Sequence, residues 1–184
     1  MENIVLDTIL ARSSVRAYSD EALTNEQLSA LKKAALASPT AMNRQTQRFI
    51  FVTDAAKRTE LEKGIFDSIL RNGDPDFAER MRSRGGRITY GAPLVVIICA
   101  APAHFARVDA GIAVENLALA AKSLGLDSVI LGMPEGAFTG DEGKAMRESF
   151  GFPDGYEFCI AISIGHRAMD KEPHAWDESH VIEL

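Results

Sequence analysis

Cysteine is nearly absent from this chain: 184 residues hold only Cys99 and Cys159. Each sits inside an apolar run, as a small buried hydrophobe does. Two such residues make neither a disulfide framework nor a thiolate zinc site, a usage that suits a reducing cytoplasm. A basic excess is also missing. The net charge of -6 argues against a nucleic-acid binder, although it leaves room for a local basic pocket. No apolar run approaches the ~18 residues a membrane helix needs. The start M-E-N-I-V-L-D lacks the basic and apolar regions of a signal peptide. His104, His166, His174 and His180 are scattered without metal-ligand spacing. No Ser-His-Asp, Cys-His or paired-carboxylate pattern stands out, and Gly132 and Gly136 do not form a dinucleotide-binding fingerprint. A catalyst built this way would leave the chemistry to a cofactor.

The apolar share of 46% and the charged share of 25% are those of a chain that folds, and its length suits one domain over residues 1–184. A short helix is expected from Asn3 to Ala11. Thr24-Asn25-Glu26-Gln27 fits a capping box before a helix that turns Leu28, Leu31 and Ala35 inward. Phe49 to Thr53 reads as a strand, and Asp54 can cap a helix carrying Leu61, Ile65 and Ile69. Arg71 to Asp76 reads as a loop and Phe77 to Arg84 as a charged helix. Leu94 to Ala101 is a continuous apolar run, a central strand covered on both faces. Asp127 to Leu131 is a further strand. Thr139 to Glu142 fits a second capping box, opening a helix to about Phe150, and Tyr156 to Ile164 is the fourth strand. Interleaved helices and strands indicate one α/β sandwich.

Between the second and third strands lies the stretch Asp109 to Leu126, apolar on two faces and rich in small residues. Asp109 is placed to cap it and Gly125 to stop it. Two readings fit so apolar a helix: a core helix surrounded by its own chain, or one that also packs against a second copy of itself.

Three stretches carry candidate chemistry. Arg12-Ser13-Ser14-Val15-Arg16 sets two guanidinium groups and two hydroxyls at a helix end, a set suited to a phosphate or carboxylate, though arginines also end helices for solvation. Thr40 to Gln47 offers the amides of Asn43, Gln45 and Gln47, which both donate and accept, as the edge of a heterocycle requires; such residues also simply form turns. Gly132 to Gly136 follows a strand, and its glycines allow close backbone approach to a flat ligand. Glu135 there is either a proton-transfer group or a solvated carboxylate.

Taken together and in order, these stretches resemble the FMN-dependent nitroreductases over nearly the whole chain. Arg12 to Arg16 is similar to that family's R-x-S-x-[RK] motif, and Ser38-Pro39-Thr40-Ala41-Met42-Asn43-Arg44-Gln45 to its S-P-[ST]-x-x-N-x-Q motif. Asp109 to Leu126 resembles the family's central helix, and Met133-Pro134-Glu135-Gly136 its loop after the third strand. Thr46-Gln47-Arg48 departs from the tryptophan or proline the family often has there.

The resemblance implies an α/β (α+β) fold, a central mixed sheet of four to five strands flanked by helices, and a homodimer built on the central helix with FMN at the interface. Arg12, Ser14 and Arg16 would hold the FMN phosphate and ribityl chain, with Ser13 acting through its backbone. Pro39, Thr40 and Ala41 would line the cofactor, with Asn43 and Gln45 near its ring or chain, from one subunit or the other. Pro134, Glu135 and Gly136 would face the ring near N5, and Arg167 and Lys171 are the basic candidates for the phosphate near the C-terminus. The activity implied is a ping-pong NAD(P)H oxidoreductase serving a nitroaromatic, quinone or flavin acceptor. A flavin-storage or flavin-sensing module, another flavin reaction on the same fold, and a cofactor-free dimerising domain are the alternatives.

Overall fold

The apolar run at Leu94 forms the heart of the molecule in the computed structural model, which describes residues 3–71, 75–83 and 85–184. Strand β2 (Leu94–Ala100) has every residue buried, and it lies between β1 (Gln47–Val52) and β4 (Glu157–Gly165). Strand β3 (Asp127–Leu131) completes the order β1-β2-β4-β3. All three ladders are antiparallel, with a register shift at Ile98–Cys99. The parallel component of the mixed sheet is confined, among the described residues, to an isolated bridge between Ser14 and Ser128. Strands β2 and β3 therefore point the same way, with β4 inserted between them in the opposite sense.

Side-chain alternation splits β2 between two cores. Leu94, Val96 and Ile98 pack with Leu31 and Ala35 of α2 (Asn25–Leu36) and with Ala110, Ala113, Leu117, Ala118 and Ala121 of α5 (Ala106–Ser123). Val95, Ile97 and Cys99 face the other side, against Leu61, Ile65 and Ile69 of α3 (Ala55–Arg71), Ala78 and Met81 of α4 (Pro75–Ser83), and Phe138, Phe150, Phe152 and Phe158. Cys99 is wholly buried, and burial pushes its thiol up to about 12.

Local signals explain most boundaries. Asn3 Oδ1 accepts from the Val5 and Leu6 N–H groups to open α1 (Ile4–Ala11), and the Thr24–Gln27 capping box forms as expected. Asp54 accepts from the Lys57 N–H at 2.8 Å and opens α3. Arg71 ends α3 and Pro75 begins α4, both within the stretch expected as a loop; residues 72–74 and Arg84 lie outside the described residues.

Two capping expectations are corrected. Helix α5 starts at Ala106, because the Ala106 N–H already bonds the Ala103 carbonyl and the Asp109 N–H that of Phe105. Asp109 is therefore inside the helix, buried, and its carboxylate accepts from the Ala41 N–H at 3.0 Å. Gly125 does stop α5: its φ of +75° permits the bond from the Leu126 N–H back to the Ala121 carbonyl. The second correction concerns Thr139. Residues Glu135–Phe138 already form a short helix, α6, so the Thr139 hydroxyl donates back to the Glu135 carbonyl. Helix α7 (Lys144–Ser149) then starts after Gly143 without a side-chain cap.

Ile97 is fully buried at the centre of this sheet. Ile97→Ala should lower unfolding stability by about 2–5 kcal/mol, measured by urea denaturation, because it removes apolar contacts and leaves a cavity.

Candidate functional site

The segment Arg12–Arg16 leaves α1 as an extended strap. Ser14 bridges Ser128, and the Val15 N–H donates to the Ser128 carbonyl at 3.1 Å. The strap continues along the end of β4: Tyr18 pairs with Arg167, the Ser19 N–H donates to His166, and the Ala168 N–H donates to Ala17. Val15 and Tyr18 anchor it by facing the core. The Tyr18 hydroxyl donates to the Val15 carbonyl, and burial, then the charge of Asp127, push its ionisation upward. These pairings bring Arg12, Ser13, Ser14 and Arg16 beside Arg167 and Lys171. The Ser13 hydroxyl donates to the Lys171 carbonyl at 2.9 Å, which commits its proton within the chain. Arg12 lies 3.6 Å from Glu115 of α5, and the Lys171 side chain is exposed.

Arg167 is held in a way the sequence did not suggest. Its Nε donates to Asp127 Oδ2 at 2.7 Å and its Nη2 to Oδ1 at 2.9 Å, while Lys122 Nζ reaches Oδ1 at 3.2 Å. Burial alone would raise the Asp127 carboxyl; the hydrogen bonds from Arg167 and Lys122 outweigh it and hold the group below the ordinary carboxylate value. Next to it, Ser128 Oγ is buried without a hydrogen-bond partner.

The Ser38–Gln47 stretch lies at the opposite edge of the sheet, running into β1. Met42, Asn43 and Gln45 take φ values of +54°, +53° and +49°, a conformation non-glycine residues adopt at a cost and that clusters at functional sites. Internal bonds hold it: the Gln45 N–H donates to Thr40 Oγ1 and Gln45 Nε2 to Asn43 Oδ1, while the Asp109 carboxylate anchors Ala41. Thr40, Gln45 and the buried Gln47 line a groove of about 520 Å³ together with Phe49 and Phe51, while Pro39 is exposed.

The third stretch follows β3 directly. Pro134 is buried, the Glu135 N–H is used on the Gly132 carbonyl at 3.1 Å, and Gly136 sits in the first turn of α6. The Glu135 carboxylate pairs at 2.5 Å with Arg107, another residue that sequence reasoning missed. A Cβ at Gly132 would meet nothing within 4 Å, so its face is open to a ligand. Strand β3 thus joins the Arg12–Arg167 cradle to this loop over about 16 Å, at ~3.3 Å per residue.

Residues 9–166 match the model of the nitroreductase family. The chain belongs to that family. A nitroreductase with bound FMN from Desulfitobacterium hafniense DCB-2 superposes with a TM-score of 0.93 and 33% identity, 100% of each chain being covered. Another with bound FMN, from Bacteroides fragilis NCTC 9343, gives 0.92 and 28%, again over 100% of both chains. The NADPH-flavin oxidoreductase of Vibrio harveyi is 26% identical across 98% of this chain and 72% of its own length. Family membership makes the nitroreductase fold explicit, and among the described residues no helix is long and apolar enough to cross a membrane.

Asp127, Lys122 and Arg107 escaped sequence reasoning because each acts through a partner far along the chain. A lone acid at a strand start and single basic residues in a helix carry no motif. Asp127 also links the site to pH. Its folded-state value lies below the ordinary one, near 3.8, so the stability it contributes is complete above that value and is lost as pH falls through the folded one. The urea midpoint should drop as pH falls below about 4, and Asp127→Asn should reduce that drop. An identical drop in the variant would show that other groups carry it.

Proposed function

We propose that this nitroreductase-family protein is an FMN-dependent NAD(P)H oxidoreductase working in two half-reactions. The nicotinamide leaves before a nitroaromatic, quinone or flavin acceptor enters the same site. The observation that carries this reading is the cradle of Arg12, Ser14, Arg16 and Arg167 at one end of β3, with the open Gly132–Gly136 loop at the other. The residues fit the cofactor: the guanidinium groups and the unpaired Ser128 hydroxyl suit a phosphate, and the open face at Gly132 leaves room for a flat ring. The relatives that bind FMN, or are named for flavin reduction, support the same assignment.

Bound FMN would supply the capacity to take two electrons from a nicotinamide and pass them on. The chain would supply the rest. Arg12, Arg16 and Arg167, with the exposed Lys171 near them, neutralise the phosphate. Ser14 and the Ser13 backbone fix the chain that follows it. Pro134 shapes the loop that meets the ring. The N–H of Gly136, in the first turn of α6, would donate to the ring, whereas the Glu135 N–H is used within the loop. Donors of this kind favour negative charge on the ring.

Pro39, Thr40, Ala41, Asn43 and Gln45 lie at the β1 edge of the sheet, opposite the β3 edge that carries the cradle. Three strand spacings, about 14 Å, separate the two sheet edges. A second copy supplies them in this reading, which makes the protein a homodimer with composite sites. The exposed apolar surface supports it: Ile4, Val5 and Ile9 of α1 and Val108 and Ile112 of α5 all face solvent in the single chain. The two free cysteines accord with a cytoplasmic setting.

Purified protein should be yellow, sediment as a dimer, and show flavin bleaching by NADH or NADPH in stopped flow. Recovery of absorbance on adding a quinone should follow. Flavin that binds but is never bleached would reduce the protein to a storage or sensing module, and a colourless protein that takes up no FMN would overturn the cofactor assignment. Arg12→Ala should weaken FMN binding roughly ten- to a hundredfold, the size of one charged hydrogen bond. Unchanged affinity would remove Arg12 from the phosphate site.

A further inference from the structure

The geometry points to a second function for Asp127: it is a positioning residue that orients Arg167 so that the remaining guanidinium donors meet the phosphate of the mononucleotide. This deepens the flavin reading above and rests on it.

Asp127 is the first residue of β3, only 5% exposed, and pairs in register with Gly165, two residues before Arg167. Its two oxygens receive Nε and Nη2 of Arg167, a planar two-point grip that fixes both the rotation and the reach of the side chain. Arginine carries five N–H donors, so this grip leaves Nη1 and one hydrogen of Nη2 uncommitted. The Arg167 side chain is 35% exposed, which keeps that free end accessible. The neighbouring residue, Ser128, bonds the strap that carries Arg12, Ser14 and Arg16. One strand start therefore sets both halves of the cradle: the Ser128 carbonyl places the strap, and the Asp127 carboxylate places the arginine that faces it.

The charge balance is consistent with such a role. An acid beside a phosphate site would repel the ligand if it stood alone. Here Lys122 reaches the same carboxylate from the last turn of α5, so the trio of Lys122, Asp127 and Arg167 keeps one net positive charge. A long arginine at the end of a strand would otherwise lose several rotatable bonds of freedom on binding, and a preset fork removes much of that loss.

The two effects of Asp127 have opposite signs, which makes the inference testable. Asp127→Asn removes a negative charge, and simple Coulomb attraction would then tighten FMN binding. It also sets an amide NH2 against the guanidinium and breaks the two-point grip, which by the positioning role weakens binding of the phosphate alone. Dissociation constants for FMN and for riboflavin, which has the same ring and no phosphate, should be measured by fluorescence quenching. The full-length protein, Asp127→Asn, Arg167→Ala and the double variant should be compared, with thermal melts as a check of folding. The preference for FMN over riboflavin should fall about tenfold in Asp127→Asn, the size of one charge-assisted hydrogen bond. In the Arg167→Ala background the same substitution should cause no further loss of that preference. Equal weakening of both flavins, tighter FMN binding, or an additive loss in the double variant would each overturn the role. If Asp127→Asn does not melt cooperatively, Arg167→Lys serves instead: it keeps the charge, lacks the fork, and should show the same phosphate-selective loss. An unchanged preference there would overturn the inference. Wild-type protein that binds neither flavin, or does not prefer FMN, would instead overturn the flavin reading itself.

Discussion

Backbone pairing between the strap at residues 13–19 and the ends of β3 and β4 governs how this site is built. The bonds from Val15 to Ser128, from Ser19 to His166 and from Ala168 to Ala17 tie three distant parts of the chain into one edge. Without them the arginines of the strap would hang from the end of an exposed helix, since α1 buries none of its residues. With them, the backbone of the strap is fixed against β3 and the segment that follows β4. The pairing is possible because β4 is inserted between β2 and β3, which leaves β3 at the sheet edge with backbone groups free to receive the strap.

Charge is then managed by burial and pairing. Asp127 sits where a carboxylate would be costly to ionise, and two cations hold it ionised. The result is a cluster with a positive balance, adjacent to a hydroxyl that has no partner. The other end of the site is arranged differently. The exposed pair of Arg107 and Glu135 is solvated and worth little to stability, so Pro134 and the backbone of the loop define that end. Between them β3 acts as a spacer of fixed length, and a strand is suited to that because its rise per residue varies little.

Much of the fold could be read from the chain before any coordinates. The Thr24–Gln27 box, the Asp54 start of α3, the buried run at Leu94, the span of β3 and the Gly125 stop all depend on neighbours within a few residues, and each appears as expected. The two errors share a cause. At Asp109 and at Thr139 a good capping residue suggests a helix start, but the preceding residues have already entered a helical turn. The competing signals there, at Ala103–Ala106 and Glu135–Phe138, are short and carry no distinctive residue type. The Arg12–Arg16 stretch can be read as a set suited to an anion, and Arg167 as a basic candidate, but the Asp127 partner that grips Arg167 cannot be read from the chain.

The sequence by itself determined the order of helices and strands, the two apolar faces of β2, the small-residue character of α5 and the identity of the chemical groups available to a ligand. These follow from periodicity and side-chain chemistry, which are local. Only the tertiary structure decided that β4 lies between β2 and β3, that the strap meets Arg167, and that the Pro39–Gln45 stretch lies at the other sheet edge. It also turned Asp109 from an expected cap into the buried anchor of Ala41. Those outcomes depend on pairings between residues as much as 158 positions apart, as for Ser13 and Lys171, and no local pattern records which distant edge a strand will choose.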